Sequence, residues 1–169
     1  MTSGGNHGDL YKDILFCTDF SDHARAALPL AVDLAKKYGA RLHLLHVCQE
    51  TSHIAEFELS SDAKMDYIRV AHLVGTEMEK RLEALCEEIT RDLGSCERRM
   101  VRGKAHIEII RYAKEKGADL IVMGSHGLSG LETVLFGSTA ERVLRESSLQ
   151  RVYHQEARIE HFAEMIIVS

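Results

Sequence analysis

No stretch of the 169 residues approaches the roughly 20 consecutive apolar positions that a bilayer span needs. A basic stripe is missing too. The chain carries 21 Lys and Arg against 26 Asp and Glu, a formal charge of −5 at pH 7, which argues against nucleic acid as its main partner. The four cysteines (Cys17, Cys48, Cys86, Cys96) include no CxxC pairing, and the ten histidines include no HExxH run, so neither redox nor metal-enzyme chemistry has a sequence frame. Neither a Walker A GK[ST] ending nor a GxGxxG at the first strand is present. Residues 1–9, MTSGGNHGD, lack the basic region and apolar core of a signal peptide and read as a frayed, flexible start. What survives these exclusions is a single cytoplasmic domain over residues 1–169, with reduced, structural cysteines and no membrane partner.

What is present centres on residues 117–139, GADLIVMGSHGLSGLETVLFGST. The apolar run Leu120–Met123 suits a strand buried on both faces, as a parallel sheet requires. It ends in Gly124, and Gly127, Gly130 and Gly137 follow, the last leading through Ser138 and Thr139 into a helical pattern. Ligands of open parallel sheets lie beyond the carboxyl ends of the strands, where glycines bring N–H groups close to an anion and a helix start supplies more. The stretch reads as a phosphate cradle; the alternative is a loop whose glycines only solve turns.

The rest of the chain reads as strands and helices in alternation. Ile14–Cys17 is the first strand, and Ser21 caps a helix whose apolar positions run from Ala24 to Tyr38 and stop at Gly39. Pro29 sits inside that pattern and is expected to kink it or to mark a tight approach. Leu42–Val47 is the second strand. Residues 48–62 read as a loop with a turn at Ile54–Leu59. A helix from about Ala63 to Leu93 follows, with Gly75 a candidate break between a mobile front and a fixed rear. Cys96–Val101 is polar enough for an edge strand, Ile107–Ala113 marks a helix closed at Gly117, and Ala140, Val143 and Leu144 mark the last. Residues 149–163 are a charged insertion, and Met165–Val168 is the final strand.

Two further positions fall at the rim where the glycine loop must lie. Asp19, just past the first strand, suits a ribose hydroxyl acceptor or, equally, a loop and helix-cap acceptor. Val47 ends the second strand, where its backbone meets an adenine edge or its side chain simply joins the core.

With these pieces together, the chain resembles the ATP-binding subgroup of the universal stress proteins. The matching stretches are ILFCTDFS (Ile14–Ser21), LHLLHV (Leu42–Val47) and ADLIVMGSHGLSGLETVLFGSTAERVL (Ala118–Leu144), and the similarity spans roughly residues 10–148. The resemblance implies a three-layer α/β fold of the adenine nucleotide alpha hydrolase-like (Rossmann-like) kind, an open parallel five-stranded sheet in the order 3-2-1-4-5. ATP would lie across the carboxyl ends of strands one and four. Carried over by position, Asp19 would hold the ribose, with Thr18 beside it, and Val47 the adenine through its backbone. Met123 would lie near sugar or base, and Gly124, Gly127, Gly137, Ser138 and Thr139 would surround the phosphates. His126, inside the loop, would either stabilise it or add a phosphate contact. Mg or Mn would ride on the phosphates, with no protein metal site.

Two departures stand out. Cys17 occupies the place of a proline common in the family, which alters loop stiffness more than ligand chemistry. The charged insertion before Met165–Val168 separates the last helix from the strand that pairs across the family's dimer. The resemblance implies a homodimeric, nucleotide-occupied regulatory protein of the stress response, with a possible regulatory protein partner. The competing readings are a protein-interaction module using residues 50–75 and the tail, and a slow ATP hydrolase. For hydrolysis no base–nucleophile pair is visible. His43 and His46 lie three apart in a strand, so they face opposite ways and do not share a metal.

Overall fold

Strand β1 (Asp13–Cys17) is buried along its whole length because it lies between two parallel neighbours, β2 (Arg41–Cys48) and β4 (Leu120–Gly124). The computed structural model describes residues 11–49, 61–124, 137–147, 151–153 and 165–168. The remaining elements are α1 (Asp22–Tyr38), α2 (Ser61–Leu93), β3 (Glu97–Arg102), α3 (Ala105–Lys116), α4 (Ser138–Glu146), β5 (Arg151–Tyr153) and β6 (Met165–Val168). The sheet order is β3-β2-β1-β4-β6-β5.

Strand alternation divides the core into two layers. Ile14, Phe16, Leu42, Leu44, Leu120 and Val122 meet α1 and α2 through Ala27, Ala31, Leu82 and Ile89. Leu15, Cys17, Leu45, Ile121 and Met123 meet α3 and α4 through Ile109, Ala113, Ala140 and Val143. His43 and His46 fall on opposite faces as their spacing requires, one beside Tyr112 of α3 and the other beside Phe20 at the start of α1. All four cysteines are free, and burial pushes the Cys17 and Cys48 thiols up, away from reactive thiolate.

Helix boundaries follow local chemistry. Ser21 Oγ accepts from Ala24 N at 3.2 Å, capping α1, while Gly39 and Gly117 close α1 and α3 with φ of 63° each. Helix α1 runs through the exposed Pro29 without interruption. Helix α2 is also continuous over 33 residues, so the break at Gly75 does not occur. Gly75 is instead buried, and a Cβ there would sit 3.4 Å from the Arg102 guanidinium of β3. The turn anticipated at Ile54–Leu59 lies outside the described residues.

The five-stranded all-parallel sheet is corrected. Strands β3, β2, β1 and β4 are parallel in that order, but the strand beside β4 is β6, and it runs antiparallel, with the short β5 antiparallel to it on the outside. The physical reason lies in which segment is more apolar. After α4 the chain first reaches Arg151–Tyr153, too short and polar for an inner position, whereas Met165–Ile166–Ile167–Val168 suits the place next to β4. Arriving by a return from β5, that segment must run back against the parallel strands. Strand β3 forms the opposite edge, as its charge anticipated.

The amino ends of the parallel strands are tied by charge. Asp119 Oδ2 accepts from Lys12 N and Asp13 N at 2.7 and 3.0 Å. The Asp13 carboxylate in turn takes Arg41 at 2.8 Å and His43 Nε2 at 2.7 Å. Glu97 stands 3.2 Å from His43 Nδ1 and accepts from Lys116 Nζ at 2.6 Å. Burial raises the Asp13 pKa, but the hydrogen bonds from Arg41 and His43 outweigh it and leave the carboxyl below its usual range. The Lys116 hydrogen bond holds Glu97 low as well.

Candidate functional site

The carboxyl end of the sheet is assembled from three described pieces, and the first is the turn after β1. Thr18 N donates to Leu45 O at 2.9 Å, and Thr18 O accepts from His46 at 2.8 Å, so Nδ1 of His46 carries the proton. Thr18 Oγ1 accepts from Phe20 N, and Asp19 Oδ1 accepts from Ser21 N, each at 3.0 Å. Phe20 is held at φ 62°, a strained conformation for a bulky side chain, with its ring 4.9 Å from that of His46. The turn is thus over-determined around Asp19. Thr18 is buried and its hydroxyl serves the loop itself. His46 and Phe20, which build this turn, were not singled out from sequence for it; the polar interruption of an apolar strand at His46 was the available signal.

The second piece is Val47. Its side chain packs partly on the α3/α4 layer, and β3 pairs with it through Val101. Leu45 O points to β1, so by strand alternation the Val47 N–H and C=O point the same way. The ladder with β1 ends two residues earlier, at the Cys17–Leu45 pair. The Val47 backbone therefore looks out past the end of β1, above the Asp19 turn.

The third piece joins β4 to α4. Met123, paired with Cys17, is buried in the same core layer as Ala140, which brings the α4 start to this end of the sheet. Gly137 is the α4 N-cap and, having no side chain, leaves the first-turn amides of Ser138 and Thr139 without a side-chain cap. That is the arrangement an anion favours. Gly124 has a packing reason of its own: a Cβ there would lie 2.9 Å from both Ala24 N and His23 C, so α1 can seat against β4 only with glycine. His126, Gly127 and Gly130 lie outside the described residues. A groove of about 610 Å³ between α1 and α2 opens beside the turn, with Phe16, Thr18, Phe20, Arg25, Arg81 and Arg91 among its lining residues.

The fold is an open, mainly parallel α/β sheet, an architecture whose ligands lie beyond the carboxyl ends of the strands. The chain belongs to the universal stress protein family, whose profile matches residues 10–150. It is 32% identical over 143 residues to the universal stress protein MJ0531 of Methanocaldococcus jannaschii, covering 84% of this chain and 81% of that one. Against YxiE of Bacillus subtilis the identity is 35% over 143 residues, covering 82% and 95%. Among solved structures it is similar to MJ0577 of Methanocaldococcus jannaschii, with 28% identity, TM-score 0.63 and coverage of 82% and 92%. Two more distant structures share the fold. A universal stress protein in complex with cAMP aligns at 22% identity and TM-score 0.54, covering 82% and 92%. One from Archaeoglobus fulgidus in complex with dAMP aligns at 21% and 0.54, covering 82% and 94%.

Proposed function

We propose that this chain is an ATP-binding member of its family, a ligand-occupied regulatory switch of the stress response rather than a fast enzyme. The observation that carries the reading is the convergence of Asp19, the outward-facing Val47 backbone and the uncapped α4 start at one end of the sheet. In this reading Asp19 receives the ribose hydroxyls, and Thr18 braces the turn beneath it. Val47 reads the adenine edge, with Met123 below. Gly124, Gly127, Gly137, Ser138 and Thr139 gather round the phosphates with His126 as a further contact. Adenine nucleotides in the two complexes of the same fold are in keeping with it.

In this reading Mg or Mn rides on the phosphates. The reading takes the address as cytoplasmic; no helix among the described residues is long and apolar enough to cross a membrane. The reading takes residues 1–169 as one domain and the working form as a homodimer. A second reading, an interaction module, draws support from the exposed apolar front of α2, with Leu73 63% exposed.

The test is calorimetric titration of nucleotide-stripped protein with ATP, ADP, cAMP and GTP, alongside mass spectrometry of the ligand retained on purification. Adenine-selective binding that Asp19→Ala and Gly127→Val abolish while the fold persists supports the switch. Saturating ATP without heat or protection against unfolding refutes it.

A further inference from the structure

Of the four free thiols, two meet. Cys86 lies on the buried side of α2 with Leu82 and Ile89, and Cys96 is partly buried against the same core layer just ahead of β3. Ten positions separate them, outside any CxxC frame, so only the fold brings them together. Helix α2 ends at Leu93, and Gly94 takes φ 79° while its N–H donates to Thr90 O at 2.8 Å, which turns the chain back toward the helix. There the Cys86 thiol donates to Cys96 O at 3.2 Å, and the two thiols also hydrogen-bond each other. The Thr90 hydroxyl donates to Cys86 O at 2.7 Å and braces the same turn of the helix. Two thiols in contact, on segments that a tight turn holds together, meet the proximity that a disulfide demands.

We propose that Cys86 and Cys96 are the site of an oxidation-induced disulfide that staples the end of α2 to the start of β3. The co-reactant is a low-molecular-weight disulfide of the glutathione class. Cys96 is the more exposed of the two and attacks it as the thiolate, forming a mixed disulfide and expelling one small thiolate. The Cys86 thiolate then attacks the Cys96 sulfur, closing the protein disulfide and expelling the second. Two protein thiols are oxidised, the small disulfide is reduced to two thiols, and the protons lost by the protein are taken up by the expelled thiolates. Burial, with the hydrogen bond shared with Cys86, pushes the Cys96 thiol up, so little thiolate exists at neutral pH and the first step is slow. Contact favours the product while burial delays it. The pair therefore answers sustained oxidation and ignores a brief pulse. The bond also stiffens the joint from which Glu97 reaches His43 and Lys116 at the amino end of the sheet.

Nothing in this inference rests on the nucleotide site. Its test is prolonged incubation of the full chain with excess oxidised glutathione at pH 7.5 and pH 8.5, followed by alkylation and peptide mass spectrometry without reduction. A link between Cys86 and Cys96 within one chain is expected, forming up to tenfold faster at the higher pH because the thiolate fraction rises tenfold per unit below the pKa. The oxidised chain should melt roughly 5–10 °C higher, and dithiothreitol should reverse the gain. Cys86→Ala should stop at a glutathione adduct on Cys96, and Cys96→Ala, at the less buried position, should form neither that adduct nor the link. The proposal is overturned if the natively folded chain forms no such link, if the link appears only in urea, if the Cys96 adduct persists in the wild type, or if the rate is the same at both pH values.

Discussion

The two ends of the parallel strands are built from the same backbone and organised in opposite ways. At the amino end the carboxylates are answered from within: Asp13, Asp119 and Glu97 are matched by Arg41, His43, Lys116 and backbone amides. At the carboxyl end internal bonds brace the Asp19 turn, while the Val47 backbone and the α4 start face outward. One end spends its polarity on holding strands in register. The other keeps polarity directed at something else. The contrast predicts a double dissociation, with stability governed from the amino end and affinity from the carboxyl end.

The largest effect is expected from Asp13→Ala. It leaves the deeply buried His43, 2% exposed at its side chain, without its short acceptor and frees Arg41. Removing one partner of a buried pair costs about 3 kcal/mol, which for a domain of this size lowers the melting temperature by roughly 6–12 °C. Thermal denaturation of the nucleotide-free protein measures it, and ATP affinity at 20 °C should be unchanged. A fall in affinity as large as the fall in stability would dissolve the distinction between the ends.

Gly124→Ala sharpens the comparison from the other side, because here a carboxyl-end residue has structural work. The added methyl meets backbone of α1 at 2.9 Å, and backbone cannot turn aside as a side-chain tip can. A loss of about 2 kcal/mol is expected from overpacking, read as a shift in the urea midpoint with an unchanged slope. Affinity should fall as well, since the displaced α1 start carries the Asp19 turn.

Asp19→Asn isolates the ligand term. Asparagine keeps an acceptor for Ser21 N, so the turn should hold. One charge-assisted hydrogen bond to a ribose hydroxyl is worth about 1.4 kcal/mol, so ATP affinity should weaken about tenfold in calorimetry. Unaltered affinity would leave Asp19 as a capping residue and nothing more.

Much of the fold was legible because periodicity and caps report local demands that the tertiary structure also makes. The stripe from Ala24 to Ala35, the Ser21 cap and the closing Gly39 all agree. Where a residue served something distant, sequence misled. Gly75 resembled a helix break because nothing nearby told of Arg102 approaching it from β3. Met165–Val168 was visible as a strand, but its direction depends on the preceding return from β5, which local apolarity does not encode. The amino-end cluster was invisible for the same reason, Asp13 N and Asp119 being 106 positions apart. At the site, motif spacing found Asp19 and the α4 start, whereas the supports, His46 under Thr18 and the strained Phe20, had no pattern to announce them.

The smallest effect is a pH dependence confined to the amino end. Burial opposes ionisation of Asp13, but Arg41 and His43 prevail and lower its pKa in the folded chain, so the unfolded chain binds the proton more readily. The resulting stabilisation is complete above the ordinary carboxylate range, about pH 4, and is lost as pH falls through the lowered folded value. Glu97, held low first by Lys116, has the same sign, though its exposure lets solvent screen most of the gain. Urea midpoints followed from pH 7 to pH 3 should therefore show wild type ahead of Asp13→Asn by a constant margin down to about pH 5 and by a shrinking one below pH 4. A margin that stayed constant below pH 4 would mean that the Asp13 pairs do not carry the stabilising role the geometry gives the amino end.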